Sequence, residues 1–208
     1  LQIPWSITKL HDVFYISERG GTKKKIEEGV VTRQKVNLSE LLSKVSEAGL
    51  LGFVLSPDFE KSETAYAYYT YDHNGQQTNR IVSLIYDGKA WTEQTILVDH
   101  IPSGSVHHGG RLKLGPDGLL YTTTGDAANR DLAQQENSLA GKILRLHVDG
   151  TIPTDNPNPA SYIFSLGHRN PQGLTWAEDG TLYATEHGNS ANDEVNIIKA
   201  NANYGWPI

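Results

Sequence analysis

The stretch Pro116-Asp117-Gly118-Leu119-Leu120-Tyr121-Thr122-Thr123-Thr124-Gly125 decides how this chain is read. Asp-Gly supplies the positive φ of a tight turn, and the Leu-Tyr-x-Thr that follows is rich in residues suited to a pleated, half-buried surface. The phrase returns as Glu178-Asp179-Gly180-Thr181-Leu182-Tyr183-Ala184-Thr185-Glu186. Looser versions are Pro57-Asp58 followed by Ala65 to Thr70, and His11-Asp12-Val13-Phe14-Tyr15-Ile16-Ser17-Glu18. Asp58 and Asp117 are 59 residues apart, and Asp117 and Asp179 are 62 apart. That is about the length of a four-stranded blade with generous loops, so the repeat predicts a β-propeller.

Further short apolar runs fill the same period. They are Arg80 to Tyr86 before Asp87-Gly88, Lys142 to Val148 before Asp149-Gly150, and Glu194 to Ile198. Each is expected to alternate between a buried and an open face. The one helical candidate is Ser39 to Val45, with Ser39 as a cap and Gly49 beyond its end. A propeller must close to hide its sheet edges, yet the fourth repeat begins near residue 179 of 208. Residues 1–208 are therefore expected to be a single β-propeller domain with three to four blades, truncated at the C-terminus. The start at Leu1, with neither Met nor leader, points to a missing native N-terminus as well.

Composition narrows the function classes. With 38% hydrophobic and 20% charged residues the chain lies in the range of folded globular proteins, which excludes a disordered tail. The net charge is -6 and the only basic cluster is Lys23-Lys24-Lys25, so nucleic acid is not an expected partner. No apolar run approaches the ~20 residues of a membrane-spanning helix. The absence of cysteine removes disulfides, thiolate metal sites and cysteine nucleophiles together.

Four segments could carry chemistry. Ser103 to Leu112 sets His107, His108 and Arg111 beside the Gly109-Gly110 pair, where glycine allows close approach and histidine suits proton abstraction near neutral pH. A polar loop with a packed histidine is the plainer reading. Asp126, after Thr124-Gly125, could orient an imidazole, bind a cation or simply form a turn. Gly167-His168-Arg169-Asn170-Pro171-Gln172-Gly173 presents an arginine whose planar fork suits a carboxylate or a carbonyl gaining negative charge. One strand later, Glu186-His187-Gly188-Asn189-Ser190-Ala191-Asn192-Asp193-Glu194 offers the hard oxygens that suit Ca²⁺, although an acidic surface loop would look the same. Neither this loop nor Asp72-His73-Asn74-Gly75 has the spacing of an EF-hand.

Taken in order, Gly49-Leu50-Leu51-Gly52, Ser56-Pro57-Asp58-Phe59, His108-Gly109-Gly110-Arg111-Leu112, Gly115-Pro116-Asp117-Gly118, Gly167 to Gly173 and Asn203-Tyr204-Gly205-Trp206-Pro207 resemble the soluble quinoprotein glucose and aldose sugar dehydrogenases, the glucose/sorbosone dehydrogenase family. The resemblance covers the chain from about Leu1 to Ile208. It implies an all-β, six-bladed propeller that binds pyrroloquinoline quinone (PQQ) and Ca²⁺ and oxidises the anomeric hydroxyl of aldose sugars to the lactone. On this resemblance His107 falls on the general base and Asp126 on its partner acid. Arg169 and Asn170 match quinone-contacting groups, with Arg169 facing charge that develops on the cofactor. The carbonyls of Gly188 and Asn189 match ligands of the catalytic Ca²⁺, while Glu194 and the carbonyl of Tyr204 resemble a second, structural Ca²⁺ site. Glu47 stands where the glucose-specific branch carries glutamine, and with His187 in the Glu-His-Gly loop it leans toward the broader aldose sugar dehydrogenases.

The resemblance also implies a periplasmic or extracellular location and an electron acceptor that the sequence does not identify. The family's lysine and arginines that grip the quinone carboxylates come from later blades, so activity is expected of the parent chain. Two other functions compete. A Ca²⁺-stabilised propeller used only for extracellular binding would keep the metal loop but have no need of His107. A Ca²⁺-dependent lactonase-type hydrolase would want side-chain carboxylates on its central metal, where carbonyls of Gly188 and Asn189 are expected.

Overall fold

In a computed structural model describing residues 1–208 the repeat becomes successive antiparallel meanders. The first comprises β1 (Pro4–Leu10), β2 (Val13–Glu18), β3 (Thr22–Glu27) and β4 (Val30–Asn37). The second comprises β5 (Leu50–Leu55), β6 (Thr64–His73), β7 (Gln76–Tyr86) and β8 (Ala90–Pro102). The third runs through β9 (Leu112–Leu114), β10 (Leu120–Thr124), β11 (Lys142–Leu146) and β12 (Ile163–Leu166). A fourth has three strands, β13 (Pro171–Trp176), β14 (Leu182–Glu186) and β15 (Glu194–Ile198). Three blades and most of a fourth are thus present, as the repeat predicts.

Each recurrent Asp lies at the turn between the first and second strands of its blade. Gly118 and Gly180 take φ of +76° and +85°, which their side-chain-free backbone permits. The preceding carboxylates cap the turns, with Asp117 Oδ1 accepting from the Leu119 amide at 3.1 Å and Asp179 Oδ1 from the Thr181 amide at 2.9 Å.

The inner strands do not alternate as expected. All five residues of β10 and all five of β11 are buried, because blades pack on both faces. The polar members are therefore paired rather than exposed. Lys142 sends Nζ to the carbonyls of Leu132, Ala133 and Ala140 at 2.8, 3.0 and 2.7 Å. Arg145 spans Asp117 at 3.0 Å and Asp155 at 2.8 Å. Lys23, the first residue of the basic triplet, is wholly buried with Nζ 2.7 Å from the Phe53 ring centre and 3.6 Å from that of Trp91. Burial alone pushes its amine well below the usual lysine range.

Blades one and two share a core. Trp91 stacks on Tyr86 and Phe59, meets Phe53 edge-on, and donates its indole N–H to Gln34 Oε1 at 2.9 Å. Beside it β4 runs parallel to β8, pairing Lys35 with Ala90, Val36 with Trp91 and Asn37 with Thr92. The two blades thereby form one eight-stranded sheet.

Ser39 to Val45 is not a helix. Tertiary partners take the groups a helix would use: the Ser39 amide and hydroxyl both donate to Glu93, the Ser43 amide donates to the Thr70 carbonyl, and Leu42 bridges to Tyr71. The helical content lies elsewhere, in one turn at Phe59–Ser62 and a 3-10 turn at Arg130–Gln134.

Candidate active site

The antiparallel order sets where chemistry can gather. In successive blades the start of the first strand and the end of the second lie at the same end of the sheet, as the pairing of Leu112 with Thr122 and of Pro171 with Glu186 records. Glu47 precedes β5, His107 precedes β9 and Arg169 precedes β13, while Asp126 follows β10 and His187 follows β14. Candidates from five separate loops therefore meet at one end of the blades.

His107 and Asp126 form the first half of the site. His107 Nδ1 lies 2.8 Å from Asp126 Oδ1, with 17% of the histidine side chain exposed and only 2% of the aspartate. His107 is held at φ +65°, a costly conformation for a side-chain-bearing residue, and its amide donates to Glu47 Oε2 at 2.8 Å. Asp126 Oδ1 also accepts from the Ala128 amide at 3.0 Å, and Oδ2 accepts from the indole N–H of Trp206 at 2.8 Å. With N–H donors on both oxygens the carboxylate is an acceptor throughout, so His107 carries its proton on Nδ1 and leaves Nε2 free.

The adjacent histidine differs. His108 is 2% exposed, contacts Ser103 Oγ through Nδ1 at 2.8 Å, and has no partner for Nε2. Burial pulls its imidazole down to about 4. Of the pair, only His107 has both an acid partner and access.

The second half is a cavity of about 270 Å³ lined by Arg169, His187, Gly188, Asn189, Glu194, Tyr204 and Trp206, among others. Residues expected at two separate metal positions thus border one space. Arg169 donates from Nη1 to the His187 carbonyl at 3.1 Å, while its buried Nε has no partner. A guanidinium on a residue bordering a cavity suits an anionic or carbonyl-bearing ligand. Gly188, Asn189, Glu194 and Tyr204 all border the cavity, and their backbone carbonyls and the Glu194 carboxylate are hard oxygens of the kind that could hold Ca²⁺. No cluster of three or more His, Asp or Glu side chains is arranged to hold a metal, so any ion here would lean on backbone oxygens.

His107 and Asp126 do not line this cavity; Trp206 and Arg169 join the halves. The Asp126 amide donates to the Arg169 carbonyl at 2.7 Å, and the Arg169 guanidinium lies 5.5 Å from the Trp206 ring centre. Asn170, expected to touch a quinone, is buried and accepts from the Gly109 amide and from Gln172 Nε2 at 3.1 and 2.9 Å. It staples the histidine loop to β13. Gly109 is required there, since a Cβ would lie 2.6 Å from the Thr124 Cα. Glu47 likewise meets the His107 backbone rather than the cavity. Three residues had no role in the sequence reading: Trp206, Glu186 and His168. Glu186 accepts from His168 Nδ1 at 2.8 Å and from the Arg169 amide, and His168 stacks on Tyr204 at 4.6 Å.

The model of the family described as glucose/sorbosone dehydrogenase matches residues 1–208. The chain belongs to that family. Quinoprotein glucose dehydrogenase B of Acinetobacter calcoaceticus is 36% identical over 76% of the chain and 40% of its own length. Aldose sugar dehydrogenase YliI of Escherichia coli is 33% identical over the whole chain and 60% of its own length. Among solved structures, the PQQ-bound aldose sugar dehydrogenase of Streptomyces coelicolor superposes with a TM-score of 0.92 at 37% identity, covering 100% of this chain and 63% of that one. This glucose/sorbosone dehydrogenase chain therefore has the propeller architecture of the quinoprotein sugar dehydrogenases and spans about half the length of these two curated relatives.

Proposed function

We propose that the protein to which this chain belongs is a PQQ- and Ca²⁺-dependent aldose sugar dehydrogenase acting in the periplasm or outside the cell. The reading rests on one observation above all: a 2.8 Å His107–Asp126 pair adjoining a cavity bordered by Arg169, Gly188, Asn189, Glu194 and Tyr204, in a chain of this family. His107 Nε2 would take the proton of the sugar's anomeric hydroxyl, and Asp126 would hold the ring and stabilise the imidazolium that results. Arg169 would bind the cofactor and face negative charge developing on it. Gly188 and Asn189 would hold the Ca²⁺ of the reaction, and Glu194 with Tyr204 a second ion. Bound PQQ would supply the hydride acceptor, a capacity no side chain has. The lactone leaves as product, and an external acceptor of unassigned identity takes the electrons.

The test is reconstitution of the full-length protein with PQQ and Ca²⁺, following dye reduction with a panel of aldoses beside quinone-free and chelated controls. Turnover that needs both additions is expected, and His107→Gln should abolish it while quinone binding survives. No turnover, with Ca²⁺ still raising the melting temperature, would favour a binding propeller. Full turnover in His107→Gln would remove the histidine as base.

A further inference from the structure

The donor on the far oxygen of Asp126 comes from a segment 80 residues away in the chain. Trp206 reaches that position because its backbone is pinned twice. Its amide donates to the Gly167 carbonyl at 2.9 Å, and its carbonyl accepts from Gln134 Nε2 at 2.6 Å. Gln134 in turn exchanges two hydrogen bonds with the Asn203 side chain, at 2.7 and 3.1 Å. Two guanidinium groups approach the indole, with Arg169 5.5 Å and Arg130 5.7 Å from its ring centre. Both contacts favour the ring where it stands.

We propose that Trp206 is a positioning residue for the His107–Asp126 pair: its N–H locks the Asp126 carboxylate in the rotation that turns Oδ1 to His107, and draws off part of the carboxylate's charge. The inference rests on the reading of His107 as base. A carboxylate whose two oxygens share three N–H donors is less basic than one with two, and it stabilises a neighbouring imidazolium less. Through this bond Trp206 would limit how far Asp126 stabilises the imidazolium formed when His107 accepts a proton. The other charged and titratable groups around the pair are Glu47 on the His107 amide, the adjacent His108 with Arg19 acting on it, and Arg169 and Arg130 about the indole. None of these donates to Asp126 Oδ2, so the effect of the indole can be separated from theirs.

The experiment uses the full-length protein with Trp206→Phe, which keeps an aromatic ring but loses the donor along with part of the ring system. A second variant carries benzothienylalanine at 206, where sulfur replaces the N–H in a ring of the same shape. NMR titration of the His107 ring protons without quinone is read beside the kcat/KM–pH profile of the reconstituted enzyme. Both His107 titration and the acid limb of the profile should move to higher pH by about half a unit or more in both variants. Rate at high pH should be largely kept. Titration unchanged in the benzothienylalanine protein would overturn the proposal, and so would a loss of rate equal at every pH. The NMR reading needs no cofactor. A shifted titration in a protein that never turns over sugar would sink the dehydrogenase reading and leave the indole's role standing.

Discussion

Two neighbouring histidines show how much environment decides. His107 meets an acid and has one side open, whereas His108 is sealed and its ring pulled down to about 4. The second fact is also a statement about stability. Between the ordinary histidine value near 6.5 and about 4, the unfolded chain binds a proton that folded His108 refuses, so its contribution to stability is whole above pH 6.5 and falls as pH drops. The loss amounts to about 3 kcal/mol at full titration. We expect the urea midpoint to fall from pH 7 to pH 4.5 in wild type and to fall less in His108→Gln, where amide and Ser103 can still bond. Parallel falls in the two proteins would place the acid sensitivity elsewhere. Sequence shows the histidine pair but not which member is dry, because that depends on how the loop folds: Tyr68 of β6 bonds the His108 carbonyl, and Ser103 of the same loop bonds its ring.

At the level of elements, short signals were legible where the backbone itself enforces them. Asp-Gly turns and Leu-Tyr-x-Thr strands declare themselves because positive φ and β-branching are local properties. Ser39 to Val45 misled because its apolar residues suit a helical turn in isolation, while Glu93 and Thr70, far along the chain, take its polar groups and leave it irregular. Lys142 shows the same dependence on distant groups. It reads as the polar end of a strand, yet its ammonium gathers three carbonyls of the loop from Leu132 to Ala140. That loop carries Gln134, on which Trp206 rests. Burial lowers the Lys142 amine to about 8, which leaves it charged at neutral pH. Lys142→Met should cost about 2–4 kcal/mol at pH 7 by stranding those carbonyls. Because the folded value lies below the unfolded ~10.4, wild type should also gain stability over the variant as pH rises from about 8 to 10. Guanidinium unfolding at pH 7 and pH 9.5 reads both effects, and a Met variant as stable as wild type would deny the ammonium its bracing role.

Across the whole molecule, the repeat announced a propeller and its blade count because a 60-residue period is visible without any partner. The gathering of His107, Asp126 and Arg169 was legible through family resemblance. The indole that joins the site's halves was not: no spacing rule links position 206 to position 126. Nor does any turn motif mark the seam between β4 and β8, since parallel neighbours need no shared hairpin. That seam has a consequence for exchange with solvent deuterium. The last residues of β4 would fray as an outer strand, but Lys35 to Asn37 are clasped to Ala90 to Thr92, whereas the exposed start of the strand at Val30 and Val31 has no such neighbour. Amide protection should therefore climb along β4 and, at Val36, reach the opening free energy measured at Trp91, so that two blades breathe as one cooperative unit. Mass-spectrometric exchange would show it; fast, uniform deuteration of β4 beside a slow β8 would mean that the first blade opens alone.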